Sequence, residues 1–339
     1  MDLSNFVIVG ENIHCTRIVK AGGSRTKQMD DGRQAVSFKH QGESRRLPIP
    51  ENWGSVSPAY TQGKVKHIAL AIYQATEGDG EDKQAGIDYL CWAAERQIRA
   101  GATFLDVNVD EYSNDLEKNQ VTMTWLVEFY GSRYDTPLSI DSSKPEILRA
   151  GLEACRRDIA SPMINSISLE RPEVKELAAR FETDNIVSAA GPEGIPNDVE
   201  GRMANFKKIV GLLEEAGIPR EKMHLDPLVL PVSVDGGNGK AFLEATSVAA
   251  KTFEGVHLNG GLSNISFGMP NRELLNQVFL YLCIEAGTDG GIIDPVKVNV
   301  KELASIDTDS EAFKLARAVL VGEDAFGMNY ITAHREGKL

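Results

Sequence analysis

Short apolar runs alternate with longer stretches whose apolar residues recur every three or four positions, along nearly the whole chain. Residues 6–9 read as a first strand, closed by Gly10-Glu11-Asn12. Ile87, Leu90, Cys91, Ala94 and Ile98 share one face of a helix over residues 83–99, which Gly101 stops. Six strand–helix pairs follow, with strands at 103–109, 137–140, 163–167, 186–190, 223–225 and within 256–265. Their helices fall at 115–129, 144–155, 172–181, 200–216, 240–252 and 272–286, and an eighth strand at 291–293 precedes a last helix at 310–320.

Eight strands with nearly continuous apolar cores, each followed by a helix, predict a parallel sheet covered by helices. The count favours an α/β fold of the closed (β/α)8 TIM barrel type over an open doubly wound sheet. An open dinucleotide-binding sheet should also show G-x-G-x-x-G after its first strand, where this chain reads GENIHC. A barrel takes about 250 residues, and the chain has 339. The surplus lies between strand one and its helix, over residues 15–82, where 2–6 residues are usual. One domain over 1–339 is therefore expected, with 15–82 as an insertion at the mouth.

Composition narrows the chemistry. The net charge of −13 disfavours nucleic-acid binding, which needs a basic field. No apolar stretch is long enough to span a membrane, and the N-terminus does not resemble a secretory signal. Four scattered cysteines without a C-x-x-C pair fit a reduced cytoplasmic enzyme. Six histidines without an H-x-x-x-H pair predict no metal site. The insertion breaks the acidic trend, with nine Lys/Arg against four acids over 15–65.

In such a barrel the active site lies at the C-terminal ends of the strands. There the chain offers Glu11, Asn12 and His14; Asp106, Asn108 and Asp110; Asp141 and Ser142; Asn165, Ser166 and Ser168. Ser188, Asp226, Asn264 with Ser266, and Asp294 follow on the later strands. The absence of a strand-end lysine disfavours Schiff-base chemistry. Carboxylates and carboxamides suit a flat, neutral ligand rich in donors and acceptors, and the 2-amino and N3–H edge of a pterin is such a ligand. Ser143 is expected to cap the third helix, leaving Asp141 free for a ligand. His224 and the helical Cys91 and Cys155 read as core, and the glycines near 236–238 and 260–261 as loops.

The segments IVGENIH, FLDVNV, LSIDSSKPEILRAGLEA, MINSIS, HLDPLVLP and GLSNISFGMPNRELLN occur in this order on six of the eight strands. Together they resemble the pterin-binding methyltetrahydrofolate:corrinoid protein methyltransferases, whose barrels are like that of dihydropteroate synthase. The resemblance implies transfer of the N5 methyl group between methyltetrahydrofolate and the corrinoid of a separate protein, within one-carbon metabolism or a demethylation pathway. It implies Asp141, Asn165 and Asp226 on the pterin edge, Ser166 beside them, and Asp106 and Asn108 at the floor. Asn264 takes the position near N5 and is the catalytic candidate. Glu11, His14, Ser188, Phe267 and Asp294 are candidates for the surrounding layer. Phe267 departs from relatives serving corrinoid iron–sulfur proteins, which carry Gln there; SNISF is similar to the folate module of cobalamin-dependent methionine synthase. The implied substrates are methyltetrahydrofolate and tetrahydrofolate, with the corrinoid supplied by a partner protein, no metal of the chain's own, and a homodimer. Alternatives are a dihydropteroate synthase-like pterin enzyme and a non-catalytic pterin-binding protein. The basic insertion is expected to meet the folate glutamate tail or the corrinoid protein, or to pack as a belt on the rim or against a dimer mate.

Overall fold

The predicted alternation folds as eight parallel strands: β1 (Val7–His14), β2 (Phe104–Asn108), β3 (Leu138–Asp141), β4 (Met163–Ile167), β5 (Asp184–Ser188), β6 (Met223–Asp226), β7 (His257–Leu258) and β8 (Gly290–Ile293). The helices between and after them are α1 (Gly80–Arg99), α2 (Leu116–Gly131), α3 (Pro145–Ala154), α4 (Val174–Phe181), α5 (Val199–Glu215), α6 (Asn238–Thr252), α7 (Arg272–Glu285) and α8 (Glu311–Leu320). The computed structural model describes residues 3–339. The sheet order is β7-β6-β5-β4-β3-β2-β1-β8. Asp289 N–H donates to Leu258 O (3.1 Å) and Ile292 N–H to Gly260 O (2.9 Å), which joins β8 to the β7 segment. The fold is a (β/α)8 barrel. Among the described residues no helix is long and apolar enough to cross a membrane.

The chain separates into two compact units. The first comprises residues 3–10, 100–104 and 160–339. Its interior includes Val9, Met163, Ile186 and Ile292, with Val7 and Phe104 packed against them. Val7–Gly10 lies opposite Gly290–Ile293 in register, and Ser188 opposite Asp226. β7 is shorter than its apolar run, because residues 262–266 form a 3-10 turn instead. A final helix, α9 (Met328–Arg335), was not marked by the sequence pattern.

The second unit comprises residues 11–99 and 105–159 and holds the insertion. The insertion has its own antiparallel sheet of Thr26–Gln28, Gln34–His40 and Glu43–Pro48, and a ribbon of Ile18–Lys20 with Lys64–Lys66. Phe38 from that sheet meets Tyr89 of α1 edge-on, with ring centroids 4.8 Å apart. A helix at His67–Glu77 escaped the sequence reading. Nearly every residue from His67 to Ala75 is buried, so it lacks the polar face that reveals a helical period. β1 also runs further than expected, to His14, with Ile13 buried and the Asn12 N–H held by Gln97 Oε1 (3.0 Å).

Part of the insertion's positive charge is met inside its own unit, while Lys20, Lys27, Lys39, Arg46 and Lys64 are exposed. Arg17 pairs with Glu11 (2.6 Å), Arg33 with Asp31 and Asp82, Arg45 with Asp88 (2.7 Å), and Lys66 with Glu111 (2.9 Å). Arg25 donates to Tyr89 Oη (2.8 Å).

A β-carbon on Gly86 of α1 would lie 2.5 Å from Ala75 N and 2.7 Å from Ala71 O, both backbone atoms of the inserted helix. Gly86→Ala should destabilise the chain by about 1–3 kcal/mol through overpacking, despite alanine's better helix propensity. Gly211→Ala in α5, where nothing lies within 4 Å, should stabilise it by roughly 0.5–1 kcal/mol. Urea unfolding of both variants checks the pair, and equal shifts of the same sign would contradict the packing.

Candidate functional site

Parallel strands bury both faces, so their polar residues gather where the ladder ends. In the second unit Asn108 and Asp141 lie opposite each other at the ends of β2 and β3. Asn108 Nδ2 donates to Asp141 Oδ2 (3.0 Å), while its Oδ1 accepts the Asp110 N–H (3.0 Å). Asp106, two residues deeper on β2, is completely buried. It accepts from Ser139 Oγ and pairs with His14 Nε2 at 2.5 Å. The same His14 nitrogen lies 3.6 Å from Asp141 Oδ2.

The electrostatics of this cluster are mutual. Burial disfavours a charged His14 ring, yet the Asp106 hydrogen bond and the charges of Asp106 and Asp141 outweigh it and raise its pKa. Burial, reinforced by Asp106, lifts the Asp141 carboxyl well above the usual carboxylate range, against the opposing pull of His14 and Asn108. Asp141 remains 22 % exposed, so it can meet a ligand directly. Asp106, sealed from solvent, acts through neighbours such as His14 and Ser139. His14, Asp106 and Asp141 bring one potential ligand atom each within 4.8 Å of one another, a donor cluster that histidine spacing along the chain does not reveal.

Ser143 does not cap α3. Its N–H donates to Asp110 Oδ2 (2.8 Å), and Ser142 Oγ accepts the Lys144 N–H (3.0 Å) while donating to Asp110. Lys144 holds the N-cap position without a side-chain bond. The turn is closed by Asp110 and Ser142, and Asp141 takes no part in capping, as expected.

In the first unit Asp226 ends β6 and is buried. Its Oδ1 accepts the Leu228 N–H (2.8 Å). Burial raises its pKa to about 6, against the stabilising Leu228 N–H, Arg202 charge and Gly261 N–H. Asn165 sits near the end of β4, where the Asn165–Ser166 peptide is cis, and Ser166 O accepts from Arg171 (3.2 Å). Asn264 is exposed in the 3-10 turn after β7. Arg272 fixes that turn by donating to Ser266 Oγ (3.0 Å) and Ser263 O (2.8 Å). A β-carbon on Gly261 would lie 3.1 Å from Asn264 Nδ2.

Other candidates have local partners. Ser188 Oγ accepts the Ala190 N–H (3.1 Å), Asp294 Oδ1 accepts the Val296 N–H (3.1 Å), and Glu11 pairs with Arg17. These bonds close turns or hold the chain leaving β1. His224 is a buried core histidine, as expected, stacked on His257 at 4.7 Å. Cys91 and Cys155 are only partly buried, whereas Cys15 and Cys283 are fully enclosed; Cys155 follows the last residue of α3 and leaves the helix face. The glycines at 236–237 and 260–261 lie in loops.

Two arginines escaped the sequence reading. Arg202 is buried in α5, where its charge bears on Asp226, and a lone Arg in an amphipathic helix reads as surface. Arg272 stood within the quoted PNRELLN segment, but its hold on Ser263 and Ser266 emerges only from the turn.

Residues 80–294 match the family described as pterin binding enzyme. A methylcorrinoid:tetrahydrofolate methyltransferase of Eubacterium limosum is 29 % identical over 248 residues, covering 72 % of this chain and 86 % of that protein. Among solved structures, a dihydropteroate synthetase with a bound product shares the fold at TM-score 0.53 and 19 % identity, over 80 % of this chain and 97 % of the other. The Yersinia pestis dihydropteroate synthase with a pterine–sulfa conjugate aligns at TM-score 0.50 and 21 % identity, over 64 % and 87 %. The family match runs from α1 to the residue after β8, taking in Asp106, Asp141, Asn165, Asp226 and Asn264, and the chain belongs to the pterin binding enzyme family.

Proposed function

We propose that the protein is a methyltransferase that moves the N5 methyl group between methyltetrahydrofolate and the corrinoid of a separate protein. Asp226 carries the pterin part of this reading. It is a buried carboxylate ending a strand, with a backbone N–H on Oδ1, and a carboxylate there can accept from N3–H and the 2-amino group together. Asn165 and Asp141 take the same edge by resemblance, with Ser166, Asp106 and Asn108 supporting them. The E. limosum relative, matched over 72 % of the chain, supports methyl transfer to or from a corrinoid.

The substrates' chemistry sets the task. The cobalt(I) electron pair attacks the methyl carbon, the carbon–N5 bond breaks, and the N5 pair takes a proton from solvent, leaving tetrahydrofolate and methylcobalt(III). The same path run backwards methylates tetrahydrofolate. N5 is a poor leaving group, so a hydrogen bond that strengthens as charge develops there lowers the barrier. Asn264 can donate that bond but cannot supply the proton. Asp226 and Asn165 act by orientation, which alone is worth a large part of a displacement barrier. We assign the chain to the cytoplasm, where its free thiols stay reduced, and to a homodimer.

Mixing the protein with methyltetrahydrofolate and chemically reduced cob(I)alamin should yield methylcobalamin in the visible spectrum. Dihydropteroate formation from the pterin diphosphate and p-aminobenzoate, with no methylcobalamin, would assign the chain to the synthase chemistry instead. Asn264→Ala should lower kcat by about 100-fold or more while changing the folate Kd less than about threefold. Equal losses in both would make Asn264 a mere anchor.

Asp226 supplies a pH signature. Its pKa of about 6 exceeds the unfolded value of about 3.9, so its proton favours the fold fully below pH ~4 and is lost as pH rises through ~6. Above that, the buried charge costs about 2–3 kcal/mol even with Arg202 nearby. Asp226→Asn should therefore raise the urea midpoint at pH 8, leave it nearly unchanged at pH 4, and weaken folate binding by at least about tenfold. A midpoint that moves equally at both pH values would refute this account.

A further inference from the structure

The loops after β6 and β7 and the turn before α9 carry large apolar side chains in solvent. Phe326 is 91 % exposed, Val234 80 %, Phe267 65 % and Met328 59 %. Isolated exposed apolar residues need no explanation, but a contiguous group does. Their loops are neighbours, tied together by hydrogen bonds and one close approach. Ser233 Oγ donates to Phe267 O, and Val232 N–H to Ile265 O (3.0 Å). Tyr330 Oη donates to Asn271 O (3.0 Å), and a β-carbon on Gly327 would lie 2.9 Å from Met269 Cε. Asp324 accepts the Asn329 and Tyr330 N–H groups, anchoring the turn that presents Phe326.

That turn is held at a cost. Phe326 has φ +56°, ψ +16°, a left-handed conformation disfavoured for a bulky side chain. Strain of this kind persists where the surroundings impose it and clusters at sites of function. Here it holds an aromatic ring out in water.

We propose that this surface is the landing site of the corrinoid-carrying protein, an inference that rests on the methyl transfer proposed above. The decisive feature is its continuity with Asn264. Phe267 N–H donates to Asn264 O (3.1 Å) within one turn, so whatever covers Phe267 covers the approach to Asn264. In-line transfer needs cobalt at the methyl group, and the carrier must therefore seat on the side chains around that turn. A second copy held permanently there would cover Asn264; a partner that docks, exchanges and leaves fits the geometry. An aromatic and aliphatic centre ringed by polar loop atoms also has the make-up of a protein interface core. Phe267, exposed and bonded through its N–H to Asn264 O, offers the carrier an apolar contact beside Asn264.

The test compares two methyl acceptors: free cob(I)alamin, and a recombinant corrinoid-binding domain of the D-x-H-x-x-G class loaded with cobalamin and reduced. The probe variant is Val234→Asp with Phe326→Asp, both at solvent-exposed positions. Transfer to free cob(I)alamin should stay within about twofold of wild type, while kcat/KM for the corrinoid domain falls at least about tenfold. Equal rates with both acceptors, equal losses with both, or a wild type that gains nothing from the carrier domain would each overturn the docking site. A change from dimer to monomer by light scattering would also overturn it, making the patch a contact between copies. Failure of the wild type with free cob(I)alamin would reject the methyl-transfer reading itself, before the variant is considered.

Discussion

A parallel strand hydrogen-bonded on both edges must also bury both of its faces, and the rest of the structure follows from that demand. It requires apolar side chains along each strand, such as Ile186 and Val187 of β5 or Leu105 and Val107 of β2. It requires a helix after each strand, and it confines polar side chains to the place where the ladder gives out. Asp141, Asn165, Ser188 and Asp226 all stand at or within two residues of a strand's C-terminal end. The candidate site residues thus lie at the border between a dry ladder and a polar rim.

At that border two carboxylates, those of Asp141 and Asp226, are raised in pKa rather than lowered. Asp141 and Asp226 both bind protons more tightly than a solvated Asp, with burial as the leading cause. Each is nonetheless partly supported: Asp141 by Asn108 and His14, Asp226 by backbone N–H groups and the charge of Arg202. A carboxylate held in this way sacrifices some fold stability, and a ligand offering paired N–H donors restores the hydrogen bonds that burial removed. In the proposed function, recognition of a pterin edge and the instability of the empty group are two aspects of one arrangement.

The two long departures from a minimal barrel behave differently. The insertion pairs Arg17, Arg33 and Arg45 with acids of its own unit and closes its own sheet, with Phe38 against Tyr89. The C-terminal turn before α9 does the reverse, fixing its backbone through Asp324 while leaving Phe326 in solvent. One surplus segment packs an aromatic side chain against the chain's own helix, and the other leaves one in solvent.

The order of strands and helices was legible because burial on a strand and on an amphipathic helix leaves different periods in the sequence. The strand-end residues were legible for the same reason, since each terminates an apolar run, and the family's segments lie on those ends. The helix at His67–Glu77 was not, because uniform burial erases the period. Nor was the 3-10 turn around Asn264, whose LSNIS pattern resembles a strand until Arg272 bonds to Ser263 and Ser266. The sequence by itself determined the class of fold and the residue types at the strand ends, because both depend on local alternation and composition. Only the tertiary structure decided that Asp106 is sealed beneath His14 while Asp141 remains within reach, that Arg202 bears on Asp226, and that the loops carrying Val234, Phe267 and Phe326 meet. Those relations join residues 24 to 92 positions apart, and only the folded chain brings them together.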